Sequence, residues 1–337
     1  MSGNRLVRAL ASCVLVTLVV AACGLNTGSS GSGSGDEDFE PKSPEFLVHT
    51  GPGGGSDLFV RDVIAMMRKE KLISSNWPVR NEKAGEGSGA MSYLVSKKGD
   101  TDTISAMTTT WLTTPLTIEG ATVTTNDLTA VAGLIIEPEV MAVKADSPYE
   151  SLTDFVEDAK KKPGKLVQTG GSTTEVGALN GKALQTEAGT SWKFLSFEEV
   201  GQRLTSLLNG DADMMFGSAS DFAAQERAGK LKIIGSISPK TSPIYPDAPT
   251  TKDEGFKTEL VSQVRGIMAP PGMPENALTY YQDTFKKLLE TDSWKQYAKK
   301  NGVVTQLLVG EEWEKYLAEQ NALVKKSLKD SNLLKGS

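Results

Sequence analysis

Four short segments rich in glycine, serine and threonine have the residue types and spacing to bind an anion. Each follows an apolar run that predicts a strand, and each precedes a helical pattern. Helix N-termini carry unpaired N–H groups and partial positive charge, and glycine lets a ligand approach the backbone closely. Such segments therefore predict an anion site that needs neither lysine nor arginine. They are Pro52-Gly53-Gly54-Gly55-Ser56-Asp57, Gly87-Ser88-Gly89, Thr108-Thr109 and Gly170-Gly171-Ser172-Thr173, with Gly217-Ser218 as a weaker companion.

A single segment of this kind is weak evidence for a binding site, because glycine-rich turns occur throughout α/β folds; the prediction depends on all of them together. The first segment is not a phosphate-binding loop of the Gly-x-x-x-x-Gly-Lys type, since no lysine follows it. Asp57 has two interpretations, a cap for the following helix or a ligand contact. Ser88 and its neighbouring glycines have the same two interpretations. Several segments of one chemistry, divided between two lobes, predict a shared binding site.

Residues for catalysis are scarce, and the sequence predicts no enzyme, no metal site and no cofactor. The single histidine, His49, lies in a predicted strand and is interpreted as structural. No Gly-x-Ser-x-Gly elbow is present, so a serine hydrolase would lack its turn and an obvious base. Asp211 and Asp213 are spaced like an acid–base pair but flank a turn, which is the commoner reason for such acids. No cluster has the spacing of metal ligands.

The elements that must position these segments alternate between strands and helices. Strands are predicted at 45–50, 78–81, 103–107, 166–169, 193–197, 214–216 and 231–237, and helices at 58–71, 90–97, 175–187, 200–208, 221–228, 275–289 and 311–328. This alternation predicts an α/β fold of open sheets with helices on both faces.

The chain is long enough for two lobes, because about 300 residues exceed the size at which single cores usually stop growing. Apolar stretches at 132–143 and 260–269 lie where crossings between lobes would fit. The sequence therefore predicts a two-lobed clamshell with two hinge crossings. Its first lobe is predicted at 44–140 plus 264–337, and its second lobe at 141–263.

The N-terminus is predicted to be an export signal followed by a tether. Arg5 and Arg8 precede a short apolar run that ends in Ala21-Ala22-Cys23. The ending resembles a bacterial lipobox, which makes residues 1–22 a lipoprotein signal peptide and Cys23 the lipidated residue. An ordinary signal peptide is the alternative. Residues 23–43, rich in glycine, serine and acids, are predicted to be a flexible tether.

The charge of the chain argues against nucleic acid as a partner. The formal net charge is −6, and removing residues 1–22 would make it −8. Nucleic acid repels such a protein, whereas local dipoles can still attract a small anion at short range. The body after Cys23 contains no cysteine, so no disulfide is expected. We expect a monomer held at the membrane by its lipid anchor.

Several motifs, in order and spacing, resemble the substrate-binding proteins of tripartite tricarboxylate transporters. Pro52-Gly53-Gly54 with Asp57 and Arg61 is similar to that family's Pro-Gly-Gly-x-x-Asp…Arg signature. Further matches are Asn81 with Ala84-Gly85-Glu86-Gly87, Lys162-Pro163-Gly164, Leu207-Leu208-Asn209-Gly210-Asp211-Ala212-Asp213, Pro249-Thr250 with Glu254-Gly255, and Gly266-Ile267-Met268-Ala269-Pro270-Pro271-Gly272-Met273-Pro274. The resemblance covers about Phe46 to about Gly302.

The resemblance implies a type II periplasmic binding fold, an extracytoplasmic location and a two-component membrane permease as partner. It also implies that a ligand carboxylate is held by 52–57 and 170–173, with Ser88 and Thr108 as adjacent contacts. The sequence departs from the family pattern at Val264-Arg265, at Thr174-Glu175-Val176 and across 193–199. Citrate is therefore not assumed, and Glu175 or Glu199 facing the cleft would favour a ligand with a cationic group.

Three functions remain open from the sequence. The first is a transport receptor that closes on a di- or tricarboxylate. The second is a sensory lipoprotein that binds the same ligand and reports to a membrane signalling partner. The third is an extracytoplasmic hydrolase on a binding-protein scaffold, which the lack of a second histidine and of a cysteine in the body disfavours.

Overall fold

The computed structural model describes residues 39–197 and 199–336. The predicted signal peptide, Cys23 and the tether up to residue 38 lie outside the described residues. Within the described ranges, no helix combines the length and apolar character needed to cross a membrane.

Eleven strands and ten α-helices make up the described part of the chain, with two short 3-10 helices at Ala84–Gly87 and Thr125–Asp127. The strands are β1 (Glu45–Val48), β2 (Val79–Asn81), β3 (Thr103–Thr108), β4 (Thr129–Glu137), β5 (Glu139–Lys144), β6 (Val167–Gly170), β7 (Lys193–Ser196), β8 (Met214–Ser218), β9 (Leu231–Ser236), β10 (Gln263–Ala269) and β11 (Val304–Val309). The helices are α1 (Gly55–Lys69), α2 (Ser88–Ser96), α3 (Thr110–Thr117), α4 (Leu152–Lys161), α5 (Val176–Ala188), α6 (Val200–Asn209), α7 (Ala219–Arg227), α8 (Glu275–Glu290), α9 (Asp292–Asn301) and α10 (Glu311–Asp330).

Six strands form the first sheet in the order β11-β4-β10-β3-β1-β2. β1 pairs in parallel with β2 and with β3, so the carboxyl ends of these three strands lie at one edge. The helices α1, α2 and α3 begin just beyond that edge. β10 runs antiparallel between β3 and β4 and places Arg265 opposite Thr108, the last residue of β3.

Five strands form the second sheet in the order β7-β6-β8-β5-β9. β6 is parallel to β7 and β8, whereas β5 is antiparallel to β8 and β9. The amino end of β5 therefore lies beside the carboxyl end of β8, and Glu139 faces Ser218 across the ladder. The loop predicted at Gly217-Ser218 is wrong, because β8 continues through both residues and α7 begins at the next one.

The chain crosses between the sheets twice. It passes from Glu137 in β4 to Glu139 in β5 with only Pro138 between them, and proline, which lacks an N–H, interrupts both ladders. It returns through the segment that ends in Val261 and Ser262. These arrangements confirm the predicted α/β fold of two helix-flanked sheets joined by two crossings.

Hydrogen bonds from both lobes hold the return crossing. The Asn180 side chain on α5 donates to the Val261 carbonyl and accepts from its N–H, both at 2.9 Å. The Ser262 N–H donates to Gln320 Oε1 on α10 at 2.8 Å. The Thr109 hydroxyl donates to the Ser262 carbonyl at 2.8 Å and accepts the Val264 N–H at 3.0 Å. Because every partner is a neutral polar group, the crossing is anchored without buried charge.

Parts of the C-terminal region and of both lobes differ from the sequence predictions. The predicted helices at 275–289 and 311–328 are present as α8 and α10. The helices α3, α4 and α9 and the strand β11 were not predicted. α3 contains four threonines and Pro115, a composition unfavourable to helix interiors, so tertiary packing outweighs local preference there.

The first glycine-rich loop is organised by the carboxylate of Asp57. Its Oδ2 accepts the N–H of Gly53 and the Nε–H of Arg61, each at 2.9 Å, and its Oδ1 accepts the side-chain amide of Asn81 at 3.0 Å. The N–H of Asp57 itself donates to Thr50 Oγ1. Asp57 is 1% exposed, and its carboxylate, by accepting a backbone N–H that precedes the helix, holds this loop in place.

The hydrogen bond from Arg61 is the largest cause that lowers the pKa of Asp57 from 3.8 to about 2. A carboxyl whose pKa falls on folding stabilises the protein above its unfolded pKa. That contribution is lost as the pH falls through the folded value. The relevant window therefore runs from about pH 4 down to about pH 2.

Asp57→Asn should destabilise the protein by roughly 1 to 3 kcal/mol at pH 7, because buried donors lose a charged acceptor. Denaturant unfolding at several pH values measures this, and the difference from the wild type should shrink between pH 4 and pH 2. Asp62→Asn, on the exposed face of the same helix, is the matched control and should be near neutral. Equal stability of the Asp57 variant and the wild type at pH 7 would contradict the assigned role.

The first lobe also packs an indole ring against two glycines on neighbouring strands. A methyl group at Gly133 or at Gly266 would overlap the ring of Trp313, and at Gly266 it would also meet the carbonyl of Ala132. Trp313 is 1% exposed. The two glycines therefore provide the space that seats α10 on the first sheet.

Gly266→Ala should lower the free energy of unfolding by about 1 to 3 kcal/mol, the usual cost of overpacking a core. Gly201→Ala in α6 is the control, because a methyl group there meets nothing and alanine favours helix. Thermal and denaturant unfolding of both variants give the comparison. Equal changes in the free energy of unfolding for the two variants would contradict the close packing of Trp313 against Gly266.

Candidate functional site

The carboxyl-terminal edges of both sheets face one cavity of about 220 Å³. The first lobe contributes Thr109, Thr110, Thr113 and Gln263 to its lining. The second lobe contributes Glu139, Glu175, Arg203, Ser218 and Asp221, with Thr174, Gly217 and the apolar Val176 and Phe216 beside them. The volume is below the roughly 300 to 1,000 Å³ of drug-sized pockets, so the cavity suits a small molecule.

Three α-helices begin at this cavity, one from the first lobe and two from the second. α3 begins at Thr110, α5 at Val176 and α7 at Ala219, and residues at or just before each start line the cavity. The first N–H groups of a helix have no partner within the helix and carry partial positive charge. Their convergence brings the partial positive charge of three helix starts to the edge of the cavity.

The second-lobe loop at 170–173 is organised by an internal carboxylate. Glu175 Oε1 accepts the N–H of Gly171 at 2.6 Å, and its Oε2 lies 3.5 Å from Nη1 of Arg203. Arg203 in turn donates from Nε to the carbonyl of Phe197 at 2.9 Å. Glu175 lines the cavity, and its side chain accepts the Gly171 N–H, which belongs to a loop that the sequence assigns to the ligand. Glu199 is the N-cap of α6 and does not line the cavity.

Two further carboxyl groups line the second-lobe wall. Burial is the main cause that raises the pKa of Glu139 well above its usual value, with the charge of Glu175 adding to it. Burial, followed by the charge of Glu137, raises the pKa of Asp221 to about 6. Both groups are therefore held in surroundings that disfavour their own negative charge.

An ion pair stands beside the cavity at the crossing between the lobes. Arg265 donates from Nε to Glu137 Oε1 at 3.0 Å and from Nη2 to Oε2 at 3.1 Å. Its Nη1 lies 3.5 Å from Ser56 Oγ in the first glycine-rich loop. Both partners are mostly buried, with side chains 14% and 13% exposed. The pair links the glycine-rich loop that contains Ser56 to the crossing between the lobes at Glu137.

The loop at 82–89 turns sharply on residues with positive φ. Gly85, Glu86 and Gly87 have φ values of 56°, 51° and 100°. A side chain at Gly87 would meet the Trp111 indole, so glycine permits the backbone to pass close to this ring. α2 then begins at Ser88.

His49 is buried behind these loops and packs edge-on against Trp111, with ring centroids 6.0 Å apart. Burial and the charge of Arg265 lower its pKa to about 4, so it is neutral at physiological pH. Its Nε2 is 3.5 Å from Thr108 Oγ1. These contacts agree with the structural interpretation of the histidine.

The sequence-predicted site residues divide into two groups. Thr109, Gly217 and Ser218 line the cavity, although the hydroxyl of Thr109 is engaged at the return crossing. The loop Pro52–Asp57, Ser88 and Thr108 lie at the edge of the first sheet, and Gly170–Thr173 at the edge of the second, outside the cavity lining. Within the described residues, no group of acids or histidines is arranged to hold a metal ion.

Several cavity residues were not foreseen from the sequence. They are Thr110, Thr113, Glu139, Thr174, Arg203, Asp221 and Gln263. Glu137 and Glu139 did carry a signal, since two acids flank a proline between two apolar strands. In this chain these two acids lie where the first crossing meets the cleft.

The family model described as “Tripartite tricarboxylate transporter family receptor” matches residues 64–333. A UPF0065 protein of Bordetella pertussis is 24% identical over 272 residues, covering 80% of this chain and 84% of its own. A UPF0065 protein of Cupriavidus necator is 22% identical over 282 residues, covering 84% and 85%.

Solved structures share the fold along nearly their whole length. A TctC solute-binding protein from Polaromonas, without ligand, has a TM-score of 0.74 at 21% identity, covering 86% of this chain and 99% of that one. An R. palustris protein with adipate has a TM-score of 0.73 at 19% identity, covering 86% and 97%. MatC from Rhodopseudomonas palustris, with bound malate, has a TM-score of 0.63 at 20% identity, covering 86% and 98%. At these identities the likeness shows the two-lobed fold, and the family match over 64–333 shows that the chain belongs to the tripartite tricarboxylate transporter receptors, a family of extracytoplasmic solute-binding proteins.

Proposed function

We propose that this protein captures a small carboxylate in the cavity between its lobes and delivers it to a two-component membrane permease. The main supporting observation is that three helix N-termini, those of α3, α5 and α7, converge on one cavity. Residues of both lobes line this cavity. Backbone N–H groups and hydroxyls there would replace the water around a carboxylate. Two proteins of similar fold were solved with adipate and with malate, which is consistent with this ligand class.

The proposed site assigns different tasks to the glycine-rich loops. The starts of α3 and α7, with Thr110 and Ser218, would contact the ligand directly. The loop Pro52–Asp57 and the loop Gly170–Thr173 would shape the two walls, because Asp57 and Glu175 already accept N–H groups from them. Ser88 and Thr108 would support the wall formed by the first lobe.

Thr110→Asp tests the carboxylate site with little risk to the fold. An acid in the first turn favours a helix, so the melting temperature should be unchanged. Its charge should repel a ligand carboxylate and weaken binding by about 10- to 100-fold, or roughly 1.4 to 2.8 kcal/mol. Calorimetry against a panel of C4 to C6 organic acids, singly and doubly charged and with or without an amino group, measures this.

Asn276→Asp is the matched control, because it adds the same charge to the first turn of α8, away from the cavity. It should leave affinity unchanged. The proposal fails if no acid in the panel binds the wild type, or if Thr110→Asp binds its best acid as tightly as the wild type does.

The proposed function includes attachment to the outer face of the cell membrane through lipid on Cys23. The support is the sequence around Ala21-Ala22-Cys23 and the glycine- and serine-rich stretch after it. A lipid anchor would keep the captured solute near the permease, because acyl chains buried in the bilayer hold a protein at the membrane surface.

Cys23→Ser should abolish incorporation of labelled fatty acid and move the protein from the membrane fraction to the soluble one. Cys13→Ser is the control, since it changes the other cysteine of the chain and should leave both readouts unaltered. Fatty-acid labelling that survives Cys23→Ser would exclude this attachment site.

A further inference from the structure

The second-lobe wall of the cavity carries more acid than its bases can neutralise. Four charged side chains line it, Glu139, Glu175, Asp221 and Arg203, and the first-sheet residues Glu137 and Arg265 lie beside the cavity. Arg265 pairs with Glu137, and Arg203 lies 3.5 Å from Glu175. Neither Glu139 nor Asp221 has an ion-pair partner in the described part of the chain. The nearby His49 is neutral and does not change this balance.

Glu139 carries an unsatisfied carboxylate oxygen at the edge of the cavity, close to Gly177 in the first turn of α5. Its Oε2 is buried and has no hydrogen-bond partner among the described residues. The side chain lines the cavity at the first residue after Pro138, opposite Ser218. A buried polar atom without a partner costs free energy, so a lasting one calls for an explanation beyond folding.

The cavity is therefore bipolar. The start of α3 offers backbone N–H groups and Glu139 offers a carboxylate oxygen, whereas Asp221, in the first turn of α7, accepts a hydrogen bond from the Ser218 N–H and keeps further lone pairs for a ligand. A molecule with charge of only one sign satisfies half of these groups and leaves the other half unpaired.

We propose that the ligand is a zwitterion, an organic acid that also carries an ammonium or guanidinium group, and that Glu139 and Asp221 bind this cationic group. The inference rests on the proposed function and narrows its ligand class. The ligand's carboxylate would lie at the helix starts, and its cationic nitrogen would donate to the carboxylates of Glu139 and Asp221. Both groups would be ionised in the complex, because an adjacent cation favours the charged form.

A dicarboxylate offers the competing account of the same two acids. There, Glu139 and Asp221 would be protonated, and each could donate a hydrogen bond to the second carboxylate of the ligand. Burial, which raises the pKa of both groups, permits this in the empty cleft. The two accounts differ in the direction in which protons move on binding.

Three probes of equal chain length separate these accounts: adipate, 6-aminohexanoate and 1,6-diaminohexane. We expect 6-aminohexanoate to bind the intact protein roughly tenfold or more tightly than adipate, and the diamine to bind weakly. A shorter set covers a second chain length: glutarate, 5-aminopentanoate and 1,5-diaminopentane. The α-amino acids lysine and ornithine are tested beside them. Calorimetry at pH 7 gives the affinities.

Proton release gives a second, independent readout. Binding of the favoured amino acid should release protons, and its affinity should rise between pH 5 and pH 8, because Glu139 and Asp221 ionise against the ammonium group. Calorimetry in buffers of different ionisation enthalpy measures the proton count. Proton uptake, or affinity that falls over this range, would favour the protonated-acid account and overturn the inference.

Glu139→Gln and Asp221→Asn should weaken binding of the amino acid roughly tenfold or more and reduce its advantage over the diacid. Both should raise the melting temperature of the empty protein at pH 8, since buried acids with raised pKa values destabilise the fold above those values. Asp211→Asn is the control, an exposed acid at the opposite edge of the second sheet, before β8. A lower melting temperature with unchanged ligand preference would make the two acids structural and overturn the inference.

The outcomes also separate this inference from the proposed function. If the diacid binds at least as tightly as the amino acid, the zwitterion inference fails and the carboxylate receptor stands. If the diamine binds best, or no acid of any length binds, the proposed function fails as well.

Discussion

Backbone N–H groups in the loops that lead into helices need acceptors, and the form of the cleft follows from which carboxylates supply them. Asp57 accepts the N–H of Gly53, and Glu175 accepts the N–H of Gly171. In each case the acid lies four residues after the donor, so the loop closes on itself before any ligand arrives. These internal acceptors hold the two loops as walls of the cleft, and Asp221 likewise accepts the Ser218 N–H at the start of α7, whereas the start of α3 is left to face the cavity.

Strand direction explains why all of these groups meet. β1, β2 and β3 are parallel, and so are β6, β7 and β8, so each lobe gathers its helix starts at one edge. The antiparallel strands β5 and β10 then bring the crossings to the same place. As a result Glu139, at the beginning of β5, enters a region otherwise built from strand ends. A fully parallel sheet would have placed that residue on the far side of the lobe.

The sequence predicted the fold well because the periodicity of its apolar residues and the glycine-rich turns both point to alternating strands and helices. It also predicted that several loops of one chemistry belong together. It did not identify the residues that line the cavity, since Asp221 and Arg203 lie on helices whose local patterns look ordinary. The sequence raises Glu175 as a candidate for the cleft, but the bond of Glu175 to the N–H of Gly171 depends on a loop conformation that residue types do not reveal. Pairings between distant segments, such as Arg265 with Glu137, are likewise invisible without the sheet register.

The position of Glu139 one residue beyond Pro138 has a mechanical consequence. Displacement in a rotation grows with distance from the axis, and the axis for any swing of the lobes must pass near the two places where the chain crosses. Glu139 is next to one of these pivots, so it stays close to the first lobe at every opening angle. Glu175 and Arg203, farther out on α5 and α6, travel along a longer arc. Any closing rotation would therefore move Glu139 less than the part of the wall that carries Glu175 and Arg203.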